Sequence, residues 1–377
     1  MPPVRPRSRR VPSDPAVEEP RRGAPRNLPT LSGVYRRAWT LLVVNAIVMG
    51  VWAAITAWYV GKPLIDPEGS FLGPSWLRLP ILCVGALFLD LVPRAVWLSR
   101  GRVRRMPELV RERWEGHWSR ERLLLVVLGI ACFYVIYVCY RNLKSFLPLV
   151  SGRMYDRELH SLDKILFFGH NPGTVIHEVL GTTVVAHVLS SFYLLFIPMV
   201  AIMVTVWLVW SRNLSYGWWF VTAQGIAWTL GTVSYYALPT LGPGLEYPYL
   251  YDLAHTGTTD LMNSLVNARQ GVLWGDGQAQ TVAGFASLHT AISLLWALMV
   301  QFTVRNRIIR IVFWVNFGLT VVATLYFGWH YIADDIGGVM IALISFYVGG
   351  IASGQKFDRH GLASHPTTTT SHVPVDR

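Results

Sequence analysis

Long unbroken blocks of apolar residues restrict this chain more than any other feature of it. An ordinary soluble core interrupts its apolar runs with polar residues every few positions, and these blocks do not. A bilayer core about 30 Å thick is crossed by roughly 20 apolar residues in a helix, and several stretches reach that length. Backbone groups in lipid must bond within their own segment, so helices are the expected form. The period-two alternation of a membrane β-barrel is not visible. Composition agrees, since 15% of the 377 residues are charged where a soluble protein carries about 25%. The expected fold class is an all-α integral membrane protein.

Eight membrane helices are expected, at about 39–60, 78–99, 122–140, 190–210, 214–237, 283–303, 308–327 and 331–351. Residues 1–37, rich in Pro and Arg, read as a disordered basic cytoplasmic tail, and 353–377 as a second disordered tail. The segment 100–121 reads as a loop and holds Arg100, Arg102, Arg104, Arg105, Arg111, Arg113 and Arg120. If each helix crosses once, that loop, the N-terminal tail and the Arg305–Arg310 turn share one side. The positive-inside rule then places both termini in the cytoplasm. The net charge of +11 is explained by orientation and by attraction to anionic lipid. No folded soluble domain remains to carry nucleic-acid binding.

Residues 174–189 are apolar but contain His177, Glu178 and His187. A full span there would invert every later loop, so they are read, with 151–169, as interfacial or re-entrant on the outer side. His187 reads as a packing histidine. The loops 141–189 and 238–282 then lie outside, the second of a length that often carries function. Cys83, Cys132 and Cys139 all fall in apolar segments and form no disulfide or metal pattern. His177-Glu178 does not complete a zinc-protease pair, because Gly181 stands where the second histidine belongs.

Chemistry concentrates in two places: Phe285-Ala286-Ser287-Leu288-His289-Thr290, and Ala323-Thr324-Leu325-Tyr326-Phe327-Gly328-Trp329-His330 followed by Asp334. Both histidines fall at the outer ends of their helices under the charge-derived topology. Asp334 follows His330 by four residues, where its carboxylate can accept a hydrogen bond from one imidazole nitrogen. The other nitrogen is then an unprotonated nucleophile, and a second histidine facing it could protonate a leaving oxygen. Phosphoryl transfer through a phosphohistidine needs both roles, plus donors for the phosphate oxygens.

These motifs resemble the phosphatidic-acid phosphatase type 2 superfamily, and more closely its inositol phosphorylceramide synthase-like (inositolphosphotransferase) branch, whose Gly-Gly is matched by Gly337-Gly338. The resemblance covers about 122–352 as a six-helix phosphatase or phosphotransferase core, with 38–121 as two additional helices and a basic loop. It implies His330 as nucleophile, Asp334 as its orienting partner, His289 as general acid and base, and Ser287 as a phosphate donor. It implies no metal or other cofactor, and a phospholipid, sphingolipid or isoprenoid phosphate as substrate at the outer leaflet of the plasma membrane. Ala286 and Thr324 depart from the phosphatase pattern, and the Lys-x6-Arg-Pro motif is absent near 236–248. Arg141, Lys144 and Arg269 are the candidates to supply the missing phosphate-binding charge.

Other readings stand beside this one. A transporter or scaffold could use the same histidines without turnover. Asp335 reads as solvated or helix-packing, and Asp90 with Arg94 as an intramembrane ion pair.

Overall fold

The computed structural model describes residues 31–66, 74–100, 102–211, 213–274, 284–355 and 357. The tail segments 1–30 and 358–377 lie outside them. Among the described residues every regular element is helical: α1 Arg36–Val60, α2 Ser75–Ser99, α3 Met106–His117, α4 Arg120–Val150, α5 Asp156–Leu166, α6 Pro172–Leu180, α7 Val184–Thr205, α8 Leu214–Ala237, α9 Gly257–Trp274, α10 Leu288–Thr303, α11 Arg307–Tyr326 and α12 Ile332–Ala352. A π turn, Val206–Trp210, extends α7. A helix is present at each of the eight expected positions. Six of them (α1, α2, α4, α7, α11 and α12) are long and apolar enough to cross a membrane. The seventh, α10, is apolar but has 16 residues. The eighth, α8, packs against α1, α4, α10 and α12 and is buried almost all round, with Trp218, Trp219, Phe220 and Gln224 fully enclosed. A helix surrounded by protein carries no polar stripe.

The outer helices turn the opposite way. Val44, Ile47, Val51 and Ile55 on α1, and Ile336, Met340, Leu343 and Tyr347 on α12, are exposed. Such rows of exposed apolar side chains suit a lipid surface rather than water.

Several expectations need correction. The helix beginning near 122 does not stop at 140 but runs to Val150, because Pro148 lies near its end and no breaker precedes it. Arg141 is therefore nine residues before the end of a helix rather than at it. Residues 174–189 are not one element: α6 ends at Leu180, Gly181 adopts φ +80°, and 184–189 form the first turns of α7. His187 is exposed there instead of packed. The loop 100–121 contains α3, and the loop 238–282 contains α9. Asp90 pairs with Arg113 of α3 at 3.0 Å, not with Arg94, and also accepts from Trp118 Nε1 at 3.3 Å.

Successive long helices run in alternating directions, so their connections gather at two ends. At one, Arg122 donates to the Ser211 carbonyl at 2.7 Å and Gln355 to Ser215 Oγ at 2.6 Å. The basic stretches around α3 and before α11 belong to this end. At the other, Asn142 and Ile65 exchange two hydrogen bonds, of 2.7 and 3.0 Å. Tyr236 donates to the Leu143 carbonyl at 2.8 Å, and the Tyr155 N–H to the Pro239 carbonyl at 2.9 Å. Both histidines sit at this second end.

Candidate active site

Ser287 begins the site from the α10 side. It is the N-cap of α10, and its hydroxyl accepts the Thr290 N–H at 3.3 Å and donates to Thr290 Oγ1 at 3.1 Å. An N-cap hydroxyl satisfies one of the helix's orphan donors, so the Ser287 side chain is engaged within α10 and fully buried. Its backbone N–H donates to the Asp334 carbonyl at 2.9 Å, stitching the start of α10 to the first turn of α12. The two can approach this closely because Gly338 lies at the contact. A Cβ there would press on the Ser287 carbonyl oxygen and stand 3.1 Å from Thr290 Cβ.

His330 occupies the short connection between α11 and α12. Its backbone N–H and that of Trp329 both donate to the Thr324 carbonyl, at 3.4 and 2.9 Å, which folds the connection back on α11. Gly328 turns the chain there with φ +68°, a conformation that a side chain would oppose. His330 Nδ1 lies 3.2 Å from Asp334 Oδ2, the two side chains being 1% and 0% exposed. A carboxylate can only accept, so in the neutral imidazole Nδ1 carries the proton and Nε2 keeps its lone pair. Among the described residues no side chain or backbone group bonds to His330 Nε2. Asp334 Oδ2 also accepts the Tyr331 N–H at 3.0 Å, capping α12 while it orients the imidazole.

His289 stands opposite, with its ring centroid 6.4 Å from that of His330. Tyr193 stacks on it at 4.5 Å and Phe196 flanks it at 4.3 Å, both from α7. The imidazole is thereby held between aromatic walls. Asp335 is buried and accepts from Thr290 at 2.5 Å and from Thr324 at 3.0 Å. It ties α10, α11 and α12 together, the helix-packing role of the two expected for it. Thr324, which stands where the phosphatases place an Arg, is engaged in this knot.

A cavity of about 170 Å³ opens beside His289. Arg141 and Lys144 line it from one face of α4, Tyr193 and Phe196 from α7, Trp228 and Tyr235 from α8, and Leu261 and Leu265 from α9. Among the described residues no carboxylate lines it. The Arg141 guanidinium donates to the Tyr137 hydroxyl at 3.1 Å, and Lys144 Nζ lies 5.9 Å from the centre of the Tyr235 ring. Arg269 is not part of this wall; it is half-buried on α9, where Asp156 is its electrostatic neighbour and burial lowers its pKa. Thus His289, His330 and Asp334 come together, Arg141 and Lys144 share the cavity wall with His289, and Arg269 lies outside that wall.

Other residues around the site carry no motif in the sequence. Arg78 on α2 also hydrogen-bonds Tyr137, so α2 supports one residue of the cavity wall. The Tyr193–Phe196 clamp came from a span read only as apolar. Asp156 and Asp163 of α5 touch the residues that follow His330. Their i, i+7 spacing on an amphipathic helix was visible, but not which face would turn inward. His177 is tied to the Tyr326 carbonyl at 2.7 Å, a structural link between α6 and α11. Among the described residues no three metal-ligating side chains converge.

A family profile described as the PAP2 superfamily matches residues 157–348. Comparison with curated proteins and with solved structures gives no match.

Proposed function

The chain belongs to the PAP2 superfamily, and from that premise we propose that it is a membrane lipid phosphotransferase or phosphatase working through a phosphohistidine on His330. The observation that carries this reading is the His330 imidazole itself. Its Nδ1 is bound to a buried carboxylate, its Nε2 has no hydrogen-bond partner among the described residues, and a second imidazole stands 6.4 Å away, centre to centre. In the proposed first step Nε2 attacks phosphorus, the bond to the leaving oxygen breaks, and His289 gives that oxygen a proton. In the second, His289 takes the proton of an acceptor hydroxyl, whose oxygen attacks the phosphohistidine and frees His330. Asp334 stabilises the positive charge that His330 gains. Arg141 and Lys144 offset phosphate charge in a cavity that no described carboxylate lines, doing the work of the absent Lys-x6-Arg-Pro motif.

Transfer of a phospho-head group to a lipid or polyol hydroxyl is the favoured course. Ser-Leu-His at 287–289 and Ala-Thr at 323–324 support it, since they follow the synthase-like pattern rather than the phosphatase one. The donor is a phospholipid, sphingolipid or isoprenoid phosphate, reached from the bilayer. The basic stretches gather at the end opposite the histidines, which supports cytoplasmic termini and a site facing the outer leaflet of the plasma membrane.

The test incubates purified protein in vesicles with labelled phosphatidylinositol, phosphatidic acid or an isoprenoid diphosphate, each with and without diacylglycerol. Phosphorus should move from at least one donor, and His330→Ala should stop it. Transfer from none of them, or undiminished transfer by the variant, refutes the proposal.

A further inference from the structure

Helix α5 is built inside out. Asp156, His160 and Asp163 are 3%, 8% and 2% exposed, whereas Leu162, Ile165 and Leu166 are 39%, 74% and 45% exposed. The buried positions are spaced i, i+4, i+7, one stripe of a helix that ordinarily buries leucines there. Burying carboxylates costs free energy unless they are hydrogen-bonded, so what these two hold is informative. Asp163 accepts the Ile332 N–H at 3.1 Å. Asp156 accepts the Tyr331 hydroxyl at 3.0 Å, and the N–H groups of Leu241 and Gly242 at 3.0 Å.

Tyr331 and Ile332 directly follow His330. Ile332 N–H belongs to the first turn of α12, one of the donors that a helix leaves without an internal partner. Asp334 holds this turn from within the helix, through the Tyr331 N–H and His330 Nδ1. Asp156 and Asp163 hold Tyr331 and Ile332, the next two residues, from a separate helix. A nucleophile gains rate when its atom is fixed at the attack position, and His330 stands on backbone anchored from both sides.

We infer that Asp156 and Asp163 are positioning residues for the His330 nucleophile, with α5 acting as the brace that carries them. This rests on the proposed role of His330. Asp163 also gives the brace a pH dependence. Burial, and secondarily Asp334 and Asp335 of α12, push its carboxyl up to about 7 against the pull of the Ile332 N–H. Tyr251, from the loop before α9, and His160 and Lys164 on α5 are the other titratable groups around it. Its charged form is the stronger acceptor, so the brace tightens as pH rises through that value and loosens below it.

The test uses orthovanadate, a mimic of the phosphoryl transition state, and needs no knowledge of the lipid. Binding to the full-length protein in phosphatidylcholine vesicles is followed by tryptophan fluorescence between about pH 5.5 and 8.5. Wild type should bind, and His330→Ala should not. Asp163→Asn should bind about tenfold more weakly at pH 8, the scale of one charge-assisted hydrogen bond, and should lose the step near pH 7 that wild type shows. Asp163→Glu should recover part of both. If Asp163→Asn does not fold, Asp156→Asn carries the same comparison of affinity, and the step near pH 7 must then appear in wild type. Wild-type affinity and pH profile in Asp163→Asn, with binding still lost in His330→Ala, overturn the brace and leave the proposed function standing. Absence of binding to wild type, or full binding to His330→Ala, overturns the proposed role of His330 and the brace with it.

Discussion

Replacing Asp334 with Asn tests how much of the site's reactivity resides in one buried pair. The side chains are nearly isosteric, and the amide oxygen can still accept the Tyr331 N–H that caps α12. What is lost is the negative charge 3.2 Å from His330 Nδ1. His330 becomes cationic as it bonds to phosphorus, so that charge is worth more in the transition state than in the resting enzyme. With charge centres about 4–5 Å apart and an effective dielectric near 20, the interaction is about 3–4 kcal/mol. Each 1.4 kcal/mol is a factor of ten, so kcat should fall by about two to three orders of magnitude. The Asn amide can also donate to Nδ1 and move the ring proton to Nε2, which deepens the loss. The assay is initial rate of phosphorus transfer in vesicles at saturating donor, with thermal unfolding measured in parallel. A fall of less than about fivefold, with the melting temperature unchanged, would refute the electrostatic role given to Asp334.

His289→Gln should lower kcat by about 10²–10⁴, the range for loss of a general acid, in a rate measurement where donor binding is retained. Arg141→Gln and Lys144→Gln should each raise KM about tenfold, as expected for one lost charge-assisted bond to phosphate; changes under twofold would remove the cavity cations from the account. Gly338→Ala forces a methyl against the Ser287 carbonyl and should destabilise the protein by about 1–3 kcal/mol. Thermal unfolding would read this as a lowered midpoint, and an unchanged midpoint would contradict the close α10–α12 contact.

The parts of the site legible in the sequence are those fixed by local geometry. His330 and Asp334 are one helical turn apart, and their contact follows from spacing alone. Arg141 and Lys144 were legible by type but misplaced, because α4 continues about ten residues past the end of its apolar run. The partner of Asp90 was not legible: Arg94 lies at the favourable i+4 spacing, yet Arg113 reaches it from a helix hidden in a basic, polar stretch. Helix α5 was legible as amphipathic but not in its sense. Apolar periodicity marks a face without saying whether lipid or protein will cover it, and here the leucines turn outward. The aromatic clamp on His289 depends on the register of α7 against α10, which no local pattern encodes.

The phosphoenzyme itself is the most direct test of the central claim. Wild-type protein mixed with a ³²P-labelled lipid donor and quenched in alkali within milliseconds should retain label that is stable to base and released by acid. Peptide mass spectrometry should place it on His330, with label absent in His330→Ala and long-lived in His289→Gln. Turnover without any trapped label, or label on a residue other than His330, would contradict the account.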